Sequence, residues 1–192
     1  THVAGTIGQT TNNNSGVAGI AYDACIMPVK VLNAQGSGSY TQVANGIIYA
    51  VDNGADVINL SLGGPVPGQV LEDAVDYAYD NNVVVVAATG NDNGAVGWPA
   101  AYDASVIAVG ATRIDKTRAS YSNFGSSVDI MGPGGDLGVD QNGDGYGDGY
   151  NDHGWVTYEQ THELRPVEYD SDGELVDDGE DGNAQDVYSG YG

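Results

Sequence analysis

Basic residues are nearly absent from this 192-residue sequence, in which 5 Lys and Arg stand against 27 Asp and Glu for a formal charge of -22. Duplex nucleic acid and anionic membrane surfaces are polyanions, so a chain this acidic is excluded as their ordinary partner. Cysteine is as scarce. Cys25 stands alone, which rules out an internal disulfide, and its setting in Cys25-Ile26-Met27-Pro28-Val29 predicts a buried, inert thiol. No run approaches the roughly 18 to 20 apolar residues of a membrane span, and no leader of charged then apolar residues opens the chain. No Met begins it either, so Thr1-His2-Val3-Ala4-Gly5 reads as a cut through a longer sequence.

What is present is enough for a core, since 41% of the residues are hydrophobic and the length suits one domain. The acidity is lopsided: 16 of the 27 acidic residues lie beyond Gly134. The first two thirds therefore read as globular and the last third as a different kind of sequence.

The central stretch is Val83-Val84-Val85-Val86-Ala87-Ala88-Thr89-Gly90-Asn91. Four β-branched residues and two alanines closed by glycine predict a strand buried on both faces, as in the middle of a parallel sheet. Such a strand delivers Asn91 to its carboxyl end, where open α/β sheets gather ligands and where an amide can donate to an oxyanion.

Around it, Val3 to Ile7 has helical potential, Thr10 to Ser15 is a loop, and Cys25 to Leu32 alternates as a strand would. Gly36-Ser37-Gly38-Ser39 reads as a flexible connector. The apolar spacing predicts a helix from Tyr40 or Thr41 to Asn53, stopped by Gly54, and an amphipathic helix from Gln69 to Asp80. Strands are predicted at Asp56 to Leu62, Val106 to Gly110 and Val128 to Met131. Strand and helix in alternation predict an α/β fold, a three-layer, doubly wound, mainly parallel sheet.

These segments resemble one family, the subtilisin-like serine proteases. The resemblance covers about Thr1 to Gly134 and rests on Thr1-His2-Val3-Ala4-Gly5-Thr6, Val29-Lys30-Val31-Leu32, Gly36-Ser37-Gly38, Asp56 to Gly64, Val84 to Asn91, Val106 to Ala111 and Pro133-Gly134. Each is weak alone; together, in the family's order and near its spacing, they are strong. The resemblance implies that Asn91 donates its amide to the oxyanion of a tetrahedral intermediate, a contact whose loss costs about 3 to 4 kcal/mol of transition-state stabilisation. It implies that Gly36, Ser37 and Gly38 form one edge, and Ser61, Leu62 and Gly63 the other, between which an extended polypeptide lies as an added strand. Tyr40, Val43 and Leu62 would line a pocket for an earlier substrate side chain, and Ala88, Thr89, Gly90 and Gly97 the pocket at the cleavage point.

The catalytic Ser, His and Asp of the family find no match here. His2 aligns with a second, non-catalytic histidine, no Gly-Thr-Ser-Met-Ala occurs, and the chain ends at Tyr188-Ser189-Gly190-Tyr191-Gly192. His153, preceded by Asp152, lacks the following Thr-His and reads as a loop histidine. The expected organisation is residues 1–134 as a partial catalytic core, 135–187 as an acidic insertion, and 188–192 as the start of the segment leading to the nucleophile. On this expectation the fragment is inactive and folds poorly alone, because apolar surface is left uncovered.

Within the insertion, Asp140, Asn142 and Asp144 occupy positions 1, 3 and 5 of a calcium-type loop spanning 140–152. Gly145 stands at the turn position, the Tyr146 carbonyl at 7 and Asp148 at 9, while Asn151 replaces the usual bidentate Glu at 12. A solvated acidic turn is the alternative. Asn12 to Val17 looks like the family's calcium loop near its first helix, without the upstream Asp of that site. The parent is thus expected to be a secreted, extracellular, monomeric serine endopeptidase with structural calcium and polypeptide substrates. A catalytically dead peptide-binding module and a calcium-dependent interaction module remain the alternatives, and Asn91 favours the protease because a binding module has no use for an oxyanion donor.

Overall fold

The computed structural model describes residues 2–12, 18–113, 115–136 and 138–140, and seven elements lie among them. In chain order these are α1 (His2–Gly8), α2 (Tyr40–Asp52), β1 (Val57–Leu60), α3 (Gln69–Asp80), β2 (Val84–Ala88), β3 (Val106–Thr112) and β4 (Ile130–Pro133). The chain divides into two compact units, residues 27–136 and residues 1–26 with those after 136.

The larger unit holds the α/β core. Its four strands are all parallel and stand in the order β1-β2-β3-β4. The register sets Val57 beside Val84, Val85 beside Val106 and Val109 beside Ile130. Because side chains alternate along a strand, Ile58, Leu60, Val85, Ala87, Val106 and Ala108 share one face. That face is buried in one cluster with Val43, Ala44, Ile47 and Ala50 of α2 and Leu71, Ala74, Val75 and Ala78 of α3.

Both helices present these residues at helical spacing, and each is fixed at its start. Ser39 Oγ accepts from the Gln42 amide at 3.2 Å while Gln42 Oε1 accepts from the Ser39 amide at 2.8 Å, a reciprocal capping box worth about 1 kcal/mol. Gly68 caps α3 without a side chain, and the Tyr102 hydroxyl stands in: it accepts from the Gly68 amide at 2.9 Å and donates to the Gly68 carbonyl at 3.0 Å. The two C-termini are alike. Asn53 and Asn81 each donate Nδ2 to the tyrosine carbonyl four residues back, at 2.8 Å, and each is followed by a left-handed residue, Gly54 at φ 82° and Asn82 at φ 59°.

The opposite face of the sheet differs from the expectation of a strand buried on both sides. Val84 and Ala88 of β2 are exposed there and Val86 is half-buried. Val57, Ile107 and Ile130 are exposed with Val84, at 42% to 60%. Among the described residues, α2 and α3 cover only the first face, so flanking strands protect the β2 backbone while half its side chains stay accessible.

Two further expectations are corrected. Cys25 to Leu32 forms no strand, and no backbone hydrogen bond ties it into a ladder among the described residues. Its alternation reflects one-sided packing instead: Val29 and Val31 lie against the core, and Gly46 of α2 makes room for Val31 Cγ1, which a Cβ there would strike. Cys25 is exposed rather than buried. In its own unit the chain turns back on α1, with Ile20 and Ala21 amides donating to Thr6 and Ile7 carbonyls, and residues 21–26 are exposed.

Candidate active site

Parallel strands bring their carboxyl ends to one edge of the sheet, and Ser61 to Gly63, Ala88 to Asn91 and Gly97 meet at that edge. β1 runs into Ser61-Leu62-Gly63 and β2 into Thr89-Gly90-Asn91. Thr89 continues the ladder by one bond, its amide donating to the Val109 carbonyl at 3.0 Å. Gly90 then turns the chain at φ 108°, a conformation that disfavours any side chain, and leaves Asn91 exposed.

The loop after Asn91 folds back into the same edge. The Gly97 amide donates to the Thr89 carbonyl at 2.9 Å, and Gly64 and Trp98 exchange amide and carbonyl bonds at 2.8 and 2.9 Å. Gly97 thus joins the strand ends of β1 and β2 in one surface. The fit there is tight: a Cβ on Gly97 would lie 3.1 Å from the Gly64 carbonyl oxygen, and one on Gly63 would lie 3.1 Å from that of Trp98. Ala88 is exposed beside them, whereas Thr89 is buried.

Tyr40, at the start of α2, closes one side. Its hydroxyl donates to the Val66 carbonyl at 2.5 Å, and its ring occupies the space that side chains on Gly64 and Gly68 would need. Together with Tyr102 at Gly68, it ties down the loop between β1 and α3 from two directions. Burial raises the Tyr102 hydroxyl above its ordinary value, against a lowering by its bond to Gly68, with small additions from Glu72, Tyr40 and Asp76. Leu62 is half-buried against the core, and Val43 lies within the core at 3% exposure.

Gly36-Ser37-Gly38 forms a built turn rather than a loose connector. Asn33 Oδ1 accepts from the Gln35 and Ser37 amides at 2.9 and 3.0 Å, and the Asn33 amide donates to the Ser37 carbonyl at 2.9 Å. Gly36 takes φ 73°, and all three residues are exposed. Among the described residues no hydrogen bond joins 36–38 to 61–63, and the Gly36 and Ser37 amides and the Ser37 carbonyl are bonded within the turn.

Several contributors were not found by sequence reasoning. Tyr102, Gly64 and Trp98 lie in loops without periodicity. Asn123, in Tyr121-Ser122-Asn123-Phe124, is buried at 3% and is hydrogen-bonded to four residues of the Asn91 loop, Thr89, Gly90, Asp92 and Gly94. A lone Asn in a polar turn is the only signal the sequence offers for it.

Of the proposed calcium loop, Asp140 is exposed, and Asn142, Asp144, Tyr146 and Asp148 lie outside the described residues. The second loop, Asn12 to Val17, falls outside them beyond Asn12, whose φ is 58°. Among the described residues no three His, Cys, Asp or Glu side chains gather as a metal site. No helix among them is long and apolar enough to cross a membrane.

Comparison with known proteins gives one result throughout. Residues 1–172 match the family model described as the subtilase family. Subtilisin DY of Bacillus licheniformis is 48% identical over 139 residues, covering 70% of this chain and 50% of that protein. Thermitase of Thermoactinomyces vulgaris is 50% identical over 135 residues, covering 70% and 48%. The fold is similar to that of a protease from Pseudoalteromonas arctica PAMC 21717, with a TM-score of 0.67 at 42% identity over 71% of this chain and 43% of that one. A cold-adapted subtilisin-like serine proteinase matches with a TM-score of 0.62 at 36% identity. The chain spans about half the length of the curated relatives it matches.

Proposed function

The chain belongs to the subtilase family, and on that premise we propose that it is part of a secreted serine endopeptidase whose Ser-His-Asp triad lies outside these 192 residues. The observation that carries this reading is the placement of Asn91. It is an exposed amide on a turn fixed by Gly90, at the carboxyl end of a strand flanked on both sides.

When a nucleophile adds to a peptide carbonyl, negative charge develops on the oxygen. An amide N–H already in place stabilises that charge without reorganising, which lowers the barrier rather than merely tightening substrate binding. The exposed Gly36–Gly38 turn and the Ser61–Gly63 strand end, small residues that admit close approach, suit an extended polypeptide entering as an added strand. Tyr40 and the accessible edge of Leu62 would receive one of its side chains, with Val43 behind them. Ala88, Thr89, Gly90 and Gly97 would border the side chain at the cut, Thr89 through its backbone. Calcium is proposed as a structural ion at Asp140, Asn142, Asp144, the Tyr146 carbonyl and Asp148, a donor set of hard oxygens suited to it. The working form is taken to be extracellular and monomeric.

The test is activity of the full-length protein. It should hydrolyse unfolded polypeptide, lose that activity to serine-directed phosphonylating reagents, and lose about 10²- to 10³-fold in kcat on Asn91→Ala, a magnitude carried over from subtilisin's own oxyanion asparagine. A folded, processed protein without hydrolysis would leave a non-catalytic peptide-binding module.

A further inference from the structure

Asn91 is exposed and lies in a turn, yet an oxyanion donor is useful only if it stands still. Its neighbours on both sides are held by one residue. Asn123 Nδ2 donates to the Thr89 carbonyl at 3.0 Å, and its backbone amide donates to the Gly90 carbonyl at 2.9 Å. Its Oδ1 accepts from the Asp92 amide at 2.8 Å and from the Gly94 amide at 3.1 Å. Gly90 lacks a Cβ where one would strike Asn123 Nδ2, so the two residues fit only as a pair.

From this geometry we infer that Asn123 is the positioning residue of the oxyanion turn: it clamps the chain immediately before and after Asn91 without touching substrate. The inference rests on the reading of Asn91 as the oxyanion donor. Only a primary amide does all of this, because the side chain must donate on one side and accept twice on the other. Asp would keep both acceptors but set a second oxygen against the Thr89 carbonyl. Ala would take the acceptor from the part-buried Asp92 and Gly94 amides and one of two donors from the Thr89 carbonyl, leaving it only the Gly97 amide.

The experiment is steady-state kinetics on the full-length protease, with Asn123→Ala and Asn123→Asp each made alone and in an Asn91→Ala background. The expected result is a kcat at least tenfold lower with KM within about twofold, and little further loss when Asn91 is already Ala, since residues acting through one another are not additive. A folded Asn123 variant with undiminished kcat overturns the inference. So does an equal loss in both backgrounds, which would mark a general structural role. If Asn91→Ala alone is fully active, the oxyanion reading fails and the inference falls with it, a result distinguishable because Asn123 need not be altered to see it. Should the Asn123 variants not fold, amide hydrogen exchange of the unaltered protein decides. Slow exchange at Asp92 and Gly94 upholds the clamp, and exchange at unprotected rates removes it.

Discussion

At the residue scale, glycines in one loop differ in what they tolerate. Gly90 combines φ 108° with contact against Asn123, so Gly90→Ala meets both backbone strain of about 1 to 3 kcal/mol and a collision. Gly94, four residues on, has nothing nearer to an added Cβ than the Asp92 carbonyl oxygen at 3.8 Å. Denaturant unfolding should therefore show Gly90→Ala strongly destabilised and Gly94→Ala within about 0.5 kcal/mol of the parent. Equal effects would mean that the turn at Gly90 is not rigid. Composition made every glycine look alike; only the backbone angle and the opposing side chain separate them.

At the element scale, the start of α3 depends on a side chain from elsewhere. Tyr102→Phe removes both bonds to Gly68 and should cost about 1 to 2 kcal/mol near neutral pH. The folded-state pKa of Tyr102 is raised from the ordinary 10.0, chiefly by burial. The unfolded chain therefore ionises first, and the stabilisation is full below about pH 10 and lost as pH rises through the folded value. The gap between parent and Tyr102→Phe, measured by unfolding across pH 8 to 11, should shrink at the alkaline end. A gap that widens there would contradict the assignment. The Asp140 loop is tested separately: calorimetric titration with calcium should show binding that Asp140→Ala with Asp144→Ala abolishes, and a flat titration of the parent would sink it. α2 and α3 were legible from spacing because each buries one periodic face, and β1 to β3 from short apolar runs that bury alternate residues; β4, which buries none of its residues, showed only as a short apolar run. The segment from Cys25 to Leu32 was misread because a chain packed on one side alternates just as a paired strand does.

At the scale of the whole molecule, the sheet has two unlike faces. One is closed by α2 and α3, while Val57, Val84, Ile107 and Ile130 leave an apolar stripe accessible on the other. The 192-residue chain should bind a hydrophobic dye, and Val57→Thr with Ile107→Thr should reduce that binding with little change in melting temperature, since Thr keeps the β-branched shape. Val85→Thr, one residue away on the covered face, should instead lower stability, because it buries a hydroxyl among apolar atoms. If all three behave alike, the assignment of faces is wrong.

The sequence alone determined the α/β alternation, the family and the place of Asn91 at a strand's end, because periodicity and short ordered motifs are local properties of a chain. It could not show that Asn123, 32 positions after Asn91, holds the turn, that Tyr102 caps a helix beginning at Gln69, or that Val57, Val84, Ile107 and Ile130 stay exposed on one face of the sheet. Those features depend on which groups meet across loops. A buried amide or hydroxyl acquires its partners only when the parallel strands bring their carboxyl ends together.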